Sequence, residues 1–199
     1  MNKTKSDSIF NLTIRLVIIT VCAGLILGLV YGITKGPIAE QELKKATEAR
    51  QAVLPDAQEF KQIALDGMDY DQDKFADINE IYEGTSNGQT VGYTFAVTTK
   101  GYKPGLGLTI GMASDGKITG VMIGSHEETP GLGANATNPS FLDQFLETDG
   151  PIVIAKSPSG AENEVQALTG ATITSKGVAN AVNLAREFAG QYLGLGEGA

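Results

Sequence analysis

An uncharged apolar stretch near the N-terminus is the feature that most constrains this chain of 199 residues. It runs from Leu16 to Ile33 and reads LVIITVCAGLILGLVYGI, with Arg15 before it and Lys35 shortly after it. At a rise of about 1.5 Å per residue, a helix of this length spans roughly the 30 Å hydrocarbon core of a bilayer. We therefore predict a transmembrane helix over residues 16–34, preceded by a short N-terminal segment.

The apolar stretch could also belong to a cleaved leader, either a signal peptide or a lipoprotein leader. A signal peptide has a shorter apolar region that ends in a small-x-small cleavage site, and this run is too long for one. A lipoprotein anchored through Cys22 would need a small residue where Val21 stands, and the apolar run continues well beyond the cysteine. We expect the helix to stay in place as a single membrane anchor.

Basic residues near the anchor predict its orientation. Lys3, Lys5 and Arg15 lie on the N-terminal side, whereas Lys35 alone lies close to the other end. Cytoplasmic flanks of membrane helices carry the excess of Lys and Arg. We predict that residues 1–15 are cytoplasmic and that the chain beyond the anchor lies on the outer side of the cell membrane.

Composition excludes several function classes for the part beyond the anchor. Residues 1–35 hold four of the 15 Lys and Arg and one of the 23 Asp and Glu, which leaves 11 basic against 22 acidic residues. Such a surface repels nucleic acid, so we expect no nucleic-acid partner. Because Cys22 is the only cysteine and His126 the only histidine, no disulfide framework, iron–sulfur centre or Cys/His metal site is expected. We expect His126 to be solvated.

A run of hydroxyl residues near the C-terminus predicts an anion site. Residues 168–177 hold four hydroxyls and two glycines, and from Val178 apolar residues recur at helical spacing. The pattern predicts a helix that starts just after the run, with Thr174 or Ser175 as its N-cap. The free N–H groups and dipole of a helix N-terminus attract a phosphate. Spacing alone would allow any of the four hydroxyls to carry such a group, or the run to be only a capped turn.

The segment Thr169–Thr174 resembles the flavinylation motif of FMN-binding domains, (Ser/Thr)-Gly-Ala-Thr-x-(Ser/Thr). In that family the Thr after Gly-Ala carries FMN through a phosphoester bond. The resemblance implies that Thr172 is the attachment residue. It also implies that neighbouring residues bind the cofactor, namely Thr169, Gly170, Ala171, Thr174 and Ser175.

The segment Glu128–Gly133 resembles the Glu-Thr-Pro-Gly-Leu-Gly segment typical of the Rnf G-subunit family and of the related C subunits of sodium-translocating NADH:quinone reductases. The resemblance implies a second set of cofactor contacts, from Glu128, Thr129, Gly131, Leu132 and Gly133. The two glycines would let backbone N–H groups approach the flavin ring. Glu128 would either be solvated or hold its loop by accepting backbone N–H bonds. Residues 101–105 depart from the family's Gly-Tyr-x-Gly pattern by an insertion, so Tyr102 is not assigned a contact.

The remaining pattern predicts an α+β fold in which helices flank an antiparallel sheet. Pro37 fits the first turn of a juxtamembrane helix over residues 35–55, which Leu54-Pro55 ends. Residues 56–87 indicate loops and short elements at the start of the extracytoplasmic domain, 56–199. Three strands are predicted at residues 90–97, 108–112 and 117–123, and the last two flank the hairpin pair Asp115-Gly116. A short helix at 141–146, a strand at 151–155 and the final helix complete the domain.

The resemblance implies an electron-relay subunit of a membrane complex that couples ferredoxin:NAD oxidoreduction to Na⁺ or H⁺ translocation. The chain contains no Gly-x-Gly-x-x-Gly dinucleotide fingerprint, so it would not be catalytic alone. Thr172 has no activating base nearby in the sequence, which indicates attachment by a separate flavin transferase. Three alternatives stay open: a C-type quinone reductase subunit, a flavinylated tethered domain serving another reductase, and an anchored assembly or binding domain without flavin.

Overall fold

The computed structural model describes residues 3–195, with the side chains of residues 3–8 and 39 outside that description. The predicted orientation therefore rests in part on Lys3 and Lys5, whose side chains are among those not described. The chain divides into two compact units, residues 1–46 and 47–199. The helices and strands, in chain order, are α1 Lys3–Val53, β1 Glu59–Ile63, β2 Ile78–Ser86, β3 Gln89–Lys100, β4 Pro104–Ala113, β5 Ile118–Ile123, α2 Pro139–Leu142, β6 Val153–Ala155, β7 Glu164–Gln166 and α3 Thr172–Leu193.

Helix α1 is one continuous element where the sequence predicted two. Pro37 lies inside it and does not begin a second helix. Proline removes one backbone hydrogen bond from a helix interior, but its fixed φ is compatible with helical geometry, so its presence did not break the helix. The helix ends at Val53, immediately before Leu54-Pro55.

Among the described residues, one helix is long and apolar enough to cross a membrane, judged by length and composition. The large apolar side chains of α1 between Ile9 and Ile33 are all exposed, as expected of a surface that lipid would cover. Glycine recurs at every fourth position of α1, which puts small residues on one side of the helix. In this glycine series, no atom lies within 4 Å of the position that a Cβ would occupy. Its members are Gly24, Gly28, Gly32 and Gly36.

A five-stranded antiparallel sheet in the order β1-β2-β3-β4-β5 forms the centre of the second unit. The predicted antiparallel sheet is confirmed. Strands β3 and β4 contain the predicted segments 90–97 and 108–112, and β5 covers the predicted segment 117–123 except for Lys117. Gly116 turns between β4 and β5 with φ +86°, which glycine adopts without steric cost.

Strands β1 and β2 were missed, because residues 56–87 were interpreted mainly as loops. Strand β1 pairs only with β2, at one edge of the sheet, and carries mostly polar side chains. The buried residues of β2 are Ile78, Ile81 and Gly84, three apart. A register shift between Ile78 and Glu80 keeps Ile78 and Ile81 in the same core cluster, whereas Gly84 faces Leu54 on the opposite side of the sheet. The bulge and the burial of both faces remove the alternation by which a half-buried strand is recognised.

Helix α3 covers one face of the sheet. The predicted apolar positions of the helix are all buried, and the ring centroids of Phe188 and Phe95 lie 6.4 Å apart. Phe95 faces Ile110 across the β3–β4 pair, and both are fully buried. This packing holds the start of α3 close to the end of β3, because a Cβ on Gly177 would stand 2.8 Å from the Lys100 carbonyl oxygen.

The region between β5 and α3 forms a small second layer. The predicted helix at 141–146 is a single α-turn, α2, followed by a 3₁₀ turn, Asp143–Phe145. The predicted strand at 151–155 is β6, which pairs in parallel with β7. Asn183 of α3 anchors this layer, since its side chain accepts the Ile152 N–H at 2.8 Å and donates to the Ile152 carbonyl at 3.0 Å.

The other face of the sheet carries a glycine row, defined here as Gly84, Gly92, Gly111 and Gly120 in strands β2 to β5. Gly84 pairs with Gly92 and Gly111 pairs with Gly120 across the strands. Val53 and Leu54 lie directly on this row. A Cβ on Gly111 would stand 2.1 Å from the Val53 carbonyl oxygen, and a Cβ on Gly84 would stand 2.5 Å from Leu54 Cδ2. The Thr119 hydroxyl donates to the Val53 carbonyl at 2.6 Å. The row lets the chain leaving α1 lie flat against the strands.

We predict that Gly111→Ala destabilises the domain by about 3 kcal/mol, the upper end of the overpacking range, because the new methyl group would collide with the Val53 main chain. Chemical denaturation of the full chain in detergent measures the change. Gly67→Ala is the matched control, because no atom lies within 4 Å of its Cβ position. Equal stability of the two variants would contradict the close contact.

Candidate functional site

Helix α3 begins within the hydroxyl run, at Thr172, and Ala171 is its N-cap without a side-chain cap bond. The predicted N-caps, Thr174 and Ser175, lie inside the first turn and are 1% and 0% exposed. That prediction is wrong because both hydroxyls are engaged with other parts of the fold. The anion site that the sequence predicted lies at this helix N-terminus, and the helix begins three to four residues earlier than predicted.

Ser175 fixes the loop that precedes the helix. Its Oγ accepts the Leu168 N–H at 3.0 Å and donates to the Ala171 carbonyl at 3.0 Å. The loop is closed by the Ala171 N–H, which donates to the Leu168 carbonyl at 3.0 Å. Gly170 takes φ +75° within it, a conformation that favours glycine. The buried serine therefore shapes the segment that presents Thr172.

Glu128 is buried, with 5% of its surface exposed, so it is not the solvated carboxylate that was one of its two expected roles. Its Oε2 accepts the Thr174 hydroxyl at 2.7 Å, and its Oε1 accepts the Lys103 N–H at 3.1 Å. The second expected role, acceptance of a backbone N–H, is confirmed, but the donor belongs to another loop. His126, two residues earlier, is half-buried and not fully solvated as expected. The Glu128 carboxylate thus joins the 101–103 loop, its own loop and the first turn of α3.

The Glu-Thr-Pro-Gly-Leu-Gly segment folds as a tight turn. The Leu132 N–H donates to the Thr129 carbonyl at 3.1 Å, and Gly131 has φ +76°. Pro130 followed by a glycine in this conformation is the sequence signature of a type II turn. Gly133 has a different reason to be glycine: a Cβ there would stand 2.3 Å from Glu128 Oε2. Turn geometry and the buried carboxylate thus account for both glycines without any contact to a flavin ring.

A cleft of about 750 Å³ lies between the two motifs. Of the eleven predicted site residues, nine line it, whereas Gly131 and Ser175 do not. Sequence reasoning missed Lys156, Ala167, Leu168 and Ile173, and left Tyr102 unassigned. The residues that line the cleft are Tyr102, Glu128, Thr129, Leu132, Gly133, Lys156, Ala167, Leu168, Thr169, Gly170, Ala171, Thr172, Ile173 and Thr174.

The two motifs touch across this cleft. A Cβ on Gly170 would stand 3.1 Å from Leu132 Cδ2, and Thr174 is hydrogen-bonded to Glu128. Proximity of the two motifs could be anticipated from the resemblance. Lys156 could not, because it follows β6 in a segment with no motif of its own.

The lining suits a planar aromatic ring that carries a phosphate. Tyr102, Leu132 and Ile173 expose 60%, 45% and 58% of their surface beside the cleft. Their apolar side chains offer faces to a ring, while the first N–H groups of α3 have no partner within the helix and favour an anion. Small-molecule clefts commonly measure roughly 300–1,000 Å³. The chain's residues therefore fit FMN.

Accessibility separates the four hydroxyls that spacing left equivalent. Thr174 and Ser175 are buried and hydrogen-bonded. Thr169 is exposed in the loop, and Thr172 is half-buried at the first position of α3. Two hydroxyls, those of Thr169 and Thr172, are thus open to a reagent that enters the cleft.

Comparison with known proteins agrees with this geometry. A family model described as "FMN-binding domain" matches residues 101–187, which include both motifs. The chain is 37% identical over 185 residues to the G subunit of the Na⁺-translocating ferredoxin:NAD⁺ oxidoreductase complex of Acetobacterium woodii, covering 88% of this chain and 89% of that protein. The chain belongs to the Rnf G-subunit family.

Other comparisons extend this assignment. The G subunit of the proton-translocating complex of Clostridium ljungdahlii is 34% identical, over 91% of both chains. Among solved structures, the C subunit of the Na⁺-translocating NADH-quinone reductase from Parabacteroides distasonis superposes with a TM-score of 0.55 at 22% identity, covering 75% of this chain and 93% of that one. The Rnf G-subunit resemblance inferred from the two motifs is confirmed, and the α+β fold is shared with the reductase protein.

We predict that Ser175→Ala destabilises this Rnf G-family protein by about 1–3 kcal/mol, because the half-buried Leu168 N–H loses its acceptor. Thermal unfolding of the full chain gives the difference. Thr169→Ala serves as the control, since that side chain is exposed and exposed substitutions usually stay within about 0.5 kcal/mol. A stable Ser175→Ala variant would show that the serine does not hold the loop.

Proposed function

We propose that this protein is an electron-relay subunit with FMN attached covalently to Thr172, in a membrane-bound Rnf-type complex that couples ferredoxin:NAD oxidoreduction to Na⁺ or H⁺ translocation. The observation that carries the proposal is a single cleft with both family motifs on its walls and Thr172 at the N-terminus of α3. The relatives from Acetobacterium woodii and Clostridium ljungdahlii are named for different ions, so the proposal leaves the ion open.

Thr172 is favoured over Thr169 as the attachment residue for two reasons. Thr172 occupies the position after Gly-Ala that carries FMN in the motif. It is also the first residue of α3, where a phosphoryl group would meet the free N–H groups and positive end of the helix dipole. Thr169 lies three residues earlier in an exposed loop.

Attachment requires help from outside the chain. A threonine hydroxyl is a weak nucleophile until a base or metal activates it. The ionisable side chains that line the cleft beside Tyr102 are Glu128, whose oxygens already accept two hydrogen bonds, and Lys156, a cation. We propose that a flavin transferase supplies the activation and uses FAD as donor. The Thr172 oxygen bonds to the FMN phosphorus, the bond from that phosphorus to AMP breaks, and the hydroxyl proton leaves with AMP.

The chain contributes position and electrostatics to the redox chemistry, which FMN itself supplies when bound. Cys22, the single cysteine of the sequence, is a free thiol in α1, and one cysteine cannot bind an iron–sulfur cluster. We therefore expect the flavin to exchange electrons with centres on other chains. A relay within a complex follows from this, together with the names of the relatives. The expected partners are other integral membrane and redox proteins of the complex.

The proposed membrane placement rests on the apolar helix and on the basic residues that precede it. We propose that α1 crosses the cell membrane once, with its N-terminus in the cytoplasm and the FMN-binding domain outside. The glycine series of α1 offers close backbone approach to a neighbouring helix, as small residues do in membrane interfaces. This supports assembly with membrane partners over a simple tether.

The alternatives receive less support. A C-type quinone reductase subunit is favoured only by fold similarity at 22% identity, whereas two Rnf G-family proteins match at 37% and 34%. An assembly domain without flavin would not require an open hydroxyl at a helix N-terminus facing a cleft of ring size. A flavinylated tether for another reductase differs from the proposal only in its partners.

We predict that protein isolated from its native membranes carries one FMN minus one water on the Thr172 peptide. Thr172→Ala should abolish this mass increment, while Thr169→Ala, as the matched hydroxyl deletion, should retain it. Intact and peptide mass spectrometry measure both. An unmodified wild-type peptide, from cells that flavinylate other proteins, would favour the assembly-domain alternative. Undiminished ferredoxin-dependent NAD reduction in Thr172→Ala membranes would exclude the relay role.

We predict the orientation by cysteine labelling in a Cys22→Ser background. Ala76→Cys, at an exposed position of the domain, should react with a membrane-impermeant maleimide added to intact cells, because the domain faces outside. Asn11→Cys, at an exposed position near the N-terminus, should react only after permeabilisation. The reverse labelling pattern would invert the proposed topology.

A further inference from the structure

We infer that Glu128 is a positioning residue whose fixed negative charge lowers the reduction potential of a flavin held in the cleft. This inference rests on the proposed function, because it concerns the FMN at Thr172. It adds a role that neither family motif assigns: one buried carboxylate both joins the walls of the cleft and sets its electrostatic potential.

The positioning role follows from the contacts of the carboxylate. Each oxygen accepts one hydrogen bond, Oε1 from the Lys103 N–H and Oε2 from the Thr174 hydroxyl. Glycines close around it, since Cβ atoms on Gly101 and Gly133 would stand 2.3 Å from Oε1 and Oε2 respectively. The carboxylate therefore sits in a fixed slot and cannot turn toward solvent. Three separate segments that line or border the cleft meet at this group.

The electrostatic role follows from what balances the charge. Both donors are neutral groups, and within residues 3–195 no ion pair involves Glu128. Ionised carboxylates accept hydrogen bonds at both oxygens, as the two oxygens of Glu128 do here. The nearby N-terminus of α3 offsets only part of the charge, since a helix dipole amounts to roughly half an elementary charge. A net negative charge thus remains on the wall of the cleft.

Because Glu128 is buried, its negative charge acts on the cleft with little screening. Salt screens exposed charges over about 8–10 Å, but buried charges are screened much less. Lys156, the cation that lines the same cleft, is exposed, so solvent and salt weaken its compensation. An electron entering the cleft therefore meets a field that disfavours it, and the reduction potential is lower than it would be without Glu128.

The test is a spectroelectrochemical titration of the full chain in detergent, produced together with a flavin transferase and carrying FMN. Glu128→Gln removes the charge, keeps the shape and retains an oxygen acceptor, so we expect an upward shift of the midpoint potential. Glu127→Gln is the matched control, because the neighbouring carboxylate is exposed. We expect no comparable shift in the control, and persistence of the Glu128→Gln shift when the salt concentration is raised.

A purely structural role is separated by two further measurements. Unfolding curves and flavin stoichiometry show whether Glu128→Gln retains a folded, loaded domain. Glu128→Ala removes the acceptors as well, and we expect loss of hydrogen-exchange protection at the Lys103 amide together with reduced FMN incorporation. If Glu128→Gln does not fold, Glu128→Asp provides the test of position: charge is kept while the side chain shortens, and Lys103 protection should fall.

The results that overturn the inference are distinct from those that overturn the proposed function. Equal midpoint potentials in wild type and Glu128→Gln, both fully flavinylated, would refute the electrostatic role while leaving the relay function intact. An equal shift in Glu127→Gln would show that the effect is a general surface charge. Wild-type protein that never acquires FMN would refute the proposed function and this inference with it.

Discussion

The packing of α3 on the sheet is the interaction on which the rest of the domain depends. The helix buries a row of small and aromatic residues against β3 and β4, and its closest approach is at Gly177, over the end of β3. That contact fixes where the first turn of α3 lies relative to the end of β3. Because Thr172 is the first residue of the helix, core packing and site position are consequences of the same contact.

The parts of the fold that the sequence predicts are those whose local pattern agrees with their final surroundings. Strands β3 and β5 are rich in β-branched residues, and the Asp115-Gly116 turn pair separates β4 from β5, so this pattern needs no tertiary information. Strands β1 and β2 were not predicted, because one is a polar edge strand and the other combines a bulge with buried residues on both of its faces. Their strand character comes from pairing with neighbours, which a single sequence does not display.

The same distinction applies to the site. The resemblance to FMN-binding domains indicated two loops that line one cleft, and the comparisons confirm the family. The predicted helix start was wrong by three to four residues. Thr174 and Ser175 are residue types that cap helices, but their hydroxyls bond to Glu128, Leu168 and Ala171. Helix-capping rules consider only neighbouring residues, so they do not take account of a contact with a residue 46 positions away. Lys156 could not be predicted for a similar reason, since only the β6–β7 layer brings it to the cleft.

The position of α3 after all the strands of the sheet has a consequence for how the domain folds. The strands β2 to β5 are joined by short connections and can pair with one another first, but the face that α3 covers stays open until that helix docks on it. Contacts between distant parts of a chain form late and slowly. The helix N-terminus that presents Thr172 would therefore be among the last features to form. The proposed attachment of FMN at Thr172 would then require a domain in which α3 has already docked on the sheet.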